Sequence, residues 1–213
     1  MLVIFSIIGM LLAGISSYFV EKKCCKHNVN ILVVLGVSLI TGILFGCSYY
    51  FYGICYEMFV VMIISYLTIL IIESDFLYYI ILDIPLIFCG LLIFILKWCY
   101  FGYIDAFKAL FCGVLTFLFL FIIKFIGDRY FKRESLGFGD VKLAFFMGLV
   151  LNIRLGLVAL VGGAFLACPY AIYSLVKNKE REIPFGPFLA ISLCLVFVFM
   201  EKINFFVNIL FSF

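Results

Sequence analysis

A single aspartate stands between glycines and a long apolar run in this chain. Asp140 follows Gly137, Phe138 and Gly139, and the apolar run begins at Leu143. A carboxylate at the edge of an apolar segment is costly to place and usually functional. The two glycines predict positive φ angles and a close approach of the backbone to a bound peptide. Two interpretations stay open from these residues alone: a catalytic carboxylate, or the N-cap of the helix that follows.

A second aspartate ends the third apolar run. If Asp75 and Asp140 meet at one membrane face, the pair suits aspartic-protease chemistry, because two carboxylates a few ångströms apart cannot both ionise. The ionised member would activate a water, and the neutral member would hydrogen-bond the scissile carbonyl. Asp83 is the second-choice acid. This chemistry requires no cofactor and no metal, and we expect neither. Glu21, like most of the other carboxylates, is expected to be a solvated loop residue.

The elements that position these aspartates are predicted to be membrane-spanning helices. Of 213 residues, 68% are hydrophobic and 13% are charged, and the mean hydropathy is +1.33. Soluble proteins average about 45–50% apolar residues and about 25% charged residues. The composition therefore predicts an all-α polytopic membrane protein with about eight transmembrane helices, forming one membrane-embedded domain over residues 1–213. The predicted spans are approximately 2–20, 30–50, 56–73, 79–97, 105–126, 141–152, 154–176 and 186–212.

Basic residues set the expected orientation in the cytoplasmic membrane. With eight spans, eleven of the 15 Lys and Arg residues lie on the side of the Asp140 loop. The other side keeps Lys97, Lys108, Arg154 and Lys202. The positive-inside rule places the Asp140 loop in the cytoplasm and both termini outside. The net charge of +3 follows from these loops and gives no reason to expect a nucleic-acid partner.

Cysteine usage does not indicate a metal centre. Most of the nine cysteines lie inside apolar runs, where a free Cys behaves as a small hydrophobic residue. Cys24 and Cys25, with His27 nearby, form a polar cluster, but the number and spacing of ligands do not match a zinc site.

Three stretches resemble a known family. The Gly-Phe-Gly-Asp stretch is similar to the G-x-G-D motif of membrane aspartic peptidases, and GFGDVKL resembles that of type IV prepilin peptidases. Residues 74–83 resemble the segment in which an aspartate is followed by proline and a second aspartate, with Leu82 in the proline's place. The IPFGPFLA stretch at 183–190 resembles the family's Pro-Phe-Gly-Pro-Phe loop. The resemblance covers approximately residues 30–195.

The resemblance implies a function and a set of site residues. Asp75 and Asp140 would be the catalytic pair, and the leader peptide of prepilins or pseudopilins would be cleaved at the cytoplasmic face. Long members also carry a cysteine-rich domain with N-methyltransferase activity; here that region shrinks to about Glu21–Asn30, so a short form without that activity is expected. The implied motif and substrate-positioning residues are Gly137, Gly139, Pro184, Gly186 and Pro187.

The main alternative is a proton-coupled secondary transporter, since membrane carboxylates often carry protons. Transporters commonly show inverted repeats and midplane sites in broken helices. This sequence shows no repeat, and it places both aspartates at a membrane boundary. A peptidase for archaeal-type preflagellins, or an inactive homologue, also stays open.

Overall fold

The computed structural model describes residues 1–24, 30–132, 134–177 and 184–210. These residues form eight α-helices and no strand, which confirms the predicted all-helical membrane class. Six of these helices are long and apolar enough to cross a membrane, and the bent pair Gly186–Val198 and Met200–Phe206 adds a seventh if it is one span. The helices are α1 (Leu2–Cys24), α2 (Ile31–Tyr52), α3 (Tyr56–Tyr78), α4 (Asp83–Phe101), α5 (Tyr103–Phe131), α6 (Phe138–Lys177), α7 (Gly186–Val198) and α8 (Met200–Leu210).

The helices group into two compact units, Met1–Leu82 and Asp83–Phe213. The first unit contains α1, α2 and α3. Its helices approach closely at small residues, as is usual in membranes; a Cβ on Gly42 of α2 would lie 2.9 Å from the carbonyl oxygen of Ser6 in α1. Helix α3 is the most enclosed of the three, with Met58 and Ile64 fully buried.

The second unit is organised around α6, which folds back on itself. Asn152 interrupts this helix with a φ of 68° and a ψ of 173°. A Cβ on Gly156 would lie 3.3 Å from the Cα of Gly148, whereas eight residues of straight helix rise about 12 Å. The two parts are therefore antiparallel arms, 138–151 and 153–177. They correspond to the predicted spans 141–152 and 154–176.

Small residues allow the two arms of α6 to pack closely against α5. Thr116 Oγ1 donates a hydrogen bond to the carbonyl oxygen of Ala144, at 2.9 Å. A Cβ on Gly148 would overlap Thr116 Oγ1 and lie 2.7 Å from the carbonyl oxygen of Cys112. A Cβ on Gly156 would lie 3.1 Å from Thr116 Cγ2. The two arms and α5 thus meet at one closely packed joint.

A buried lysine caps the broken helix. Lys97 of α4 donates from Nζ to the carbonyl oxygen of Val150, at 3.1 Å, and only 8% of the residue is exposed. In an unbroken helix this carbonyl would accept from the N–H of Arg154, beyond the break. Lys97, the last residue of the predicted span 79–97, therefore lies within α4, four residues before its end.

The last predicted span, 186–212, is divided between two helices. Helices α7 and α8 meet at Phe199 with an angle of 85° between them. Glu201 and Lys202 interrupt the apolar run directly after this bend, so one straight apolar helix does not form.

Candidate active site

Asp140 lies in the first turn of α6 and is 6% exposed. The helix begins at Phe138, two residues before Asp140, so the interpretation of Asp140 as its N-cap is wrong. A carboxylate in the first helical turn is favoured by the partial positive charge of the helix N-terminus. The sequence thus predicts Asp140 directly before a helix, whereas in the structure Asp140 is part of the first turn of that helix.

The positive φ angles predicted for the two motif glycines are wrong. Among the described glycines, positive φ occurs at Gly53 and Gly102 and not at Gly137 or Gly139. Gly139 is already helical. A Cβ on Gly137 would lie 3.1 Å from Asp140 Oδ2. Glycine at position 137 therefore leaves room for the carboxylate, which folds back toward the residue preceding the helix.

The segment before the motif is tied to the end of α5. Asp128 Oδ1 accepts hydrogen bonds from the backbone N–H and the hydroxyl of Ser135, at 2.6 and 2.8 Å. Lys124 Nζ donates to the carbonyl oxygen of Leu136 and lies 3.2 Å from Asp128 Oδ2. These contacts restrain the residues directly before Gly137. The spacing of four residues between Lys124 and Asp128 on one helix is a sequence signal that could have found this pair.

Asp75 lies in the last turn of α3, in the first unit, and is 7% exposed. The helix ends at Tyr78. Tyr79 adopts a left-handed conformation, and its N–H donates to the carbonyl oxygen of Asp75, at 3.0 Å. Leu82, which stands in place of the family's proline, lies in the non-helical stretch before α4. The substitution is therefore outside the turn that carries Asp75.

Two buried glutamates accompany Asp75 and were missed as a pair. Glu21 is 1% exposed and Glu73 is 5% exposed. The expectation of a solvated Glu21 is therefore wrong, because α1 continues to Cys24 and Glu21 is a buried residue of this helix. Ser17 donates to Glu73 Oε1 at 2.5 Å, and the Tyr78 hydroxyl donates to Glu21 Oε1 at 2.8 Å. All four side chains belong to α1 and α3 of the first unit.

Asp83 is the most exposed of the three aspartates considered. It opens α4, its side chain is 52% exposed, and its Oδ1 lies 2.6 Å from Lys142 Nζ. Lys142 also lies over the ring of Phe138, 5.2 Å from its centroid. A half-exposed ion pair of this kind contributes about 0–1 kcal/mol to stability.

A cavity of about 730 Å³ lies between α4, α5 and α6 of the second unit. Asp83 and Lys142 line it together with apolar side chains such as Phe94, Phe117 and Phe145. Asp140 does not line it. Because helical residues two positions apart point about 200° away from each other, Asp140 and Lys142 lie on opposite sides of α6.

The Pro-Phe-Gly-Pro-Phe stretch starts α7. Pro184 is buried just before the helix, and Gly186 and Pro187 are buried in its first turn. Proline is favoured there because its φ is already helical and its missing N–H is not needed. Ser192 of α7 donates to the carbonyl oxygen of Ala159 in the second arm of α6, at 2.7 Å. The stretch therefore sets where α7 packs on that arm.

Within the described residues, no group of three or more His, Cys, Asp or Glu side chains is placed to hold a metal ion. Cys25 and His27 lie outside the described part of the chain, as does the side chain of Cys24.

Comparison with known families identifies the same region. The model of the type IV leader peptidase family matches residues 61–172, just over half of the chain. The match includes Asp75, Asp83 and the Gly137–Asp140 motif. No curated protein and no solved structure matches the chain.

Proposed function

Because the chain belongs to the type IV leader peptidase family, we propose that it is an aspartic endopeptidase that removes the leader peptide from type IV prepilins or pseudopilins. The family makes it a prepilin-peptidase-like protease, and its apolar helices make it a multi-pass membrane protein. Our proposal adds the aspartic mechanism and the substrate. It also places cleavage at the cytoplasmic face of the cytoplasmic membrane, with both termini outside. The charge distribution supports this orientation.

The observation that carries the proposal is the burial of Asp75 and Asp140. Each lies in a terminal helical turn inside the family match, and they are 7% and 6% exposed. Carboxylates kept away from solvent in a membrane protein are costly and mark functional sites. Asp83, by contrast, is half-exposed and paired with Lys142. This contrast supports Asp75 as the partner of Asp140.

In the proposed mechanism the two carboxyl groups share one proton. The ionised carboxylate takes a proton from water, and the resulting hydroxide attacks the scissile carbonyl carbon. The neutral carboxyl hydrogen-bonds the carbonyl oxygen and protonates it as the tetrahedral intermediate forms. The other carboxyl then gives the proton that it took from water to the amide nitrogen, the C–N bond breaks, and a hydroxyl proton of the intermediate returns to the carboxylate that protonated the carbonyl oxygen. Gly137 and Gly139 would admit the substrate backbone beside Asp140, and Pro184, Gly186 and Pro187 would position the substrate from the start of α7.

The test is co-expression with a prepilin from the same genome, with leader loss measured by mass. Asp75→Asn and Asp140→Asn should each reduce cleavage to background while the protein still inserts. Asp105→Asn is the matched control, because this exposed aspartate forms a salt bridge with the exposed Lys108 and lies outside the motifs that carry Asp75 and Asp140. Cleavage that survives either of the first two substitutions would contradict the proposal.

The same assay separates the alternatives. Loss of cleavage in Asp83→Asn together with its survival in Asp75→Asn would make Asp83 the partner of Asp140. The mass of the new N-terminus reports methylation, and we expect none. A preflagellin leader offered to the same membranes tests the related specificity. The family match favours a peptidase over the proton-coupled transporter, whose test is substrate-dependent proton uptake into liposomes.

A further inference from the structure

Two side-chain hydrogen bonds join α1 to the end of α3 that carries Asp75. Ser17 donates to Glu73, and Tyr78 donates to Glu21. Ser17 and Glu21 are four residues apart and lie on one face of α1, while Glu73 and Tyr78 stand on either side of Asp75 in sequence. The α1–α3 clamp, as we call these four residues, therefore holds α3 both before and after Asp75.

The clamp fixes the direction of the Asp75 side chain and the position of Asp75 along the helix axis. Residues 73 and 75 point about 200° apart on a helix, so the rotation of α3 at which Glu73 meets Ser17 also fixes the direction of Asp75. A rotation of α3 by about 20° would move an atom about 5–6 Å from the helix axis by about 2 Å. A misplacement of about 1 Å can lower a catalytic rate about a hundredfold. Rotation of this last turn is therefore important to any chemistry at Asp75.

The polar character of the clamp indicates a role beyond holding two helices together. Glu73 and Glu21 have no Lys or Arg within salt-bridge distance among the described residues. Glu73 Oε2 is buried and accepts no hydrogen bond there, so the contact with Ser17 fixes this carboxyl group. Apolar packing alone can join two membrane helices. Hydrogen bonds are directional, so they also fix the rotation of α3 and its position along the helix axis.

We propose that Glu73 and Tyr78, held by Ser17 and Glu21, are positioning residues that fix the direction of Asp75. The inference rests on the proposed function, because it assigns these residues to the reaction of Asp75. None of the four acts on the substrate itself. Their effect passes through the last turn of α3, which ends only three residues after Asp75.

The chain offers a matched control for the clamp. The hydroxyls of Ser16 and Tyr66 also form a hydrogen bond between α1 and α3. Tyr66 lies nine residues before Asp75, about 14 Å along the helix. Tyr66→Phe therefore removes a bond between the same two helices, far from Asp75.

The experiment measures kcat and KM for leader cleavage in purified full-length variants with the prepilin described above. Tyr78→Phe and Glu73→Leu should lower kcat roughly ten- to a hundredfold, with KM within about twofold of the wild-type value. Tyr66→Phe should leave both constants within about twofold. Glu73→Gln should restore most of kcat, because its amide oxygen still accepts the hydrogen bond from Ser17.

Several outcomes would overturn the inference. Equal losses in Tyr66→Phe and Tyr78→Phe would show a general effect of helix pairing. A rise in KM alone would place the clamp in substrate binding. A Gln variant as inactive as the Leu variant would make the ionisable carboxyl group of Glu73 itself necessary. Unchanged kcat in Tyr78→Phe beside an inactive Asp75→Asn would reject the clamp and keep the proposed function. Activity in Asp75→Asn would reject the proposed function first.

Amide hydrogen exchange gives a readout that does not depend on activity. Tyr78→Phe should speed exchange about tenfold or more, about 1.4 kcal/mol of local stability, in residues 75–79. Tyr66→Phe should leave these amides unchanged. Faster exchange along the whole of α3 in Tyr78→Phe would indicate global loosening and would also overturn the inference.

Discussion

Replacing Gly148 by alanine tests the joint between α5 and the two arms of α6. The added Cβ would overlap Thr116 Oγ1 and lie 2.7 Å from the carbonyl oxygen of Cys112. A side chain could rotate away, but the carbonyl belongs to a helix backbone and cannot. The helices must therefore move apart, and the Thr116 hydrogen bond to Ala144 is stretched or lost.

The magnitude follows from three contributions. Overpacking costs about 1–3 kcal/mol, and an interhelical hydrogen bond in a membrane protein is worth about 0.6 kcal/mol, with a maximum near about 1.7 kcal/mol. Alanine returns up to about 1 kcal/mol through its higher helix propensity. We expect a net loss of about 1–4 kcal/mol in the free energy of unfolding. Gly36→Ala is the matched control, because a Cβ on Gly36 meets nothing within 4 Å.

The assay is reversible unfolding in mixed micelles by added denaturing detergent, followed by circular dichroism. Gly36→Ala should be as stable as wild type or slightly more stable, and Gly148→Ala clearly less stable. Adding Thr116→Ala to Gly148→Ala should recover part of the loss, since one of the two overlaps disappears. Equal stability of the two single glycine variants would refute the close packing at this joint.

Two further substitutions address the helix break and the motif. Lys97→Met should cost about 1–3 kcal/mol, because the carbonyl oxygen of Val150 loses its partner at the break; unfolding in the same micelles measures it, and an unchanged midpoint would contradict the capping role. Gly137→Ala should lower kcat for leader cleavage about tenfold while unfolding changes by less than about 1 kcal/mol, because its Cβ would lie 3.1 Å from Asp140 Oδ2. Unchanged kcat in Gly137→Ala would show that the carboxylate does not need this space.

The membrane fold was largely predictable because hydrophobic runs report helices directly. Even the fold-back near Asn152 appeared as a gap between two predicted spans. Burial of single polar residues was not predictable in the same way. Glu21 and Lys97 carry charges at the ends of apolar runs, and hydropathy alone does not predict that such residues are buried. Their partners, Tyr78 and Val150, are distant in sequence.

In the candidate site, too, the sequence predicted the position of a residue but not its side-chain contacts. The motif pattern located Asp140, and the structure places it at a helix start. The expected positive φ was wrong at Gly137, where an added Cβ would instead make a tight contact of 3.1 Å with Asp140 Oδ2. Such a contact depends on a rotamer, and residue spacing alone does not determine rotamers.

The fold-back at Asn152 has a consequence for how the protein is made. The first arm, 138–151, is about 21 Å long, shorter than the hydrocarbon core of about 30 Å, and it carries Asp140 and Lys142 near its start. The second arm, 153–177, is longer and more uniformly apolar. We therefore expect the insertion machinery to admit the two arms together, as a hairpin, after the ribosome has finished the second one. Until then we expect Asp140 to lack the packed surroundings that bury it in the folded protein.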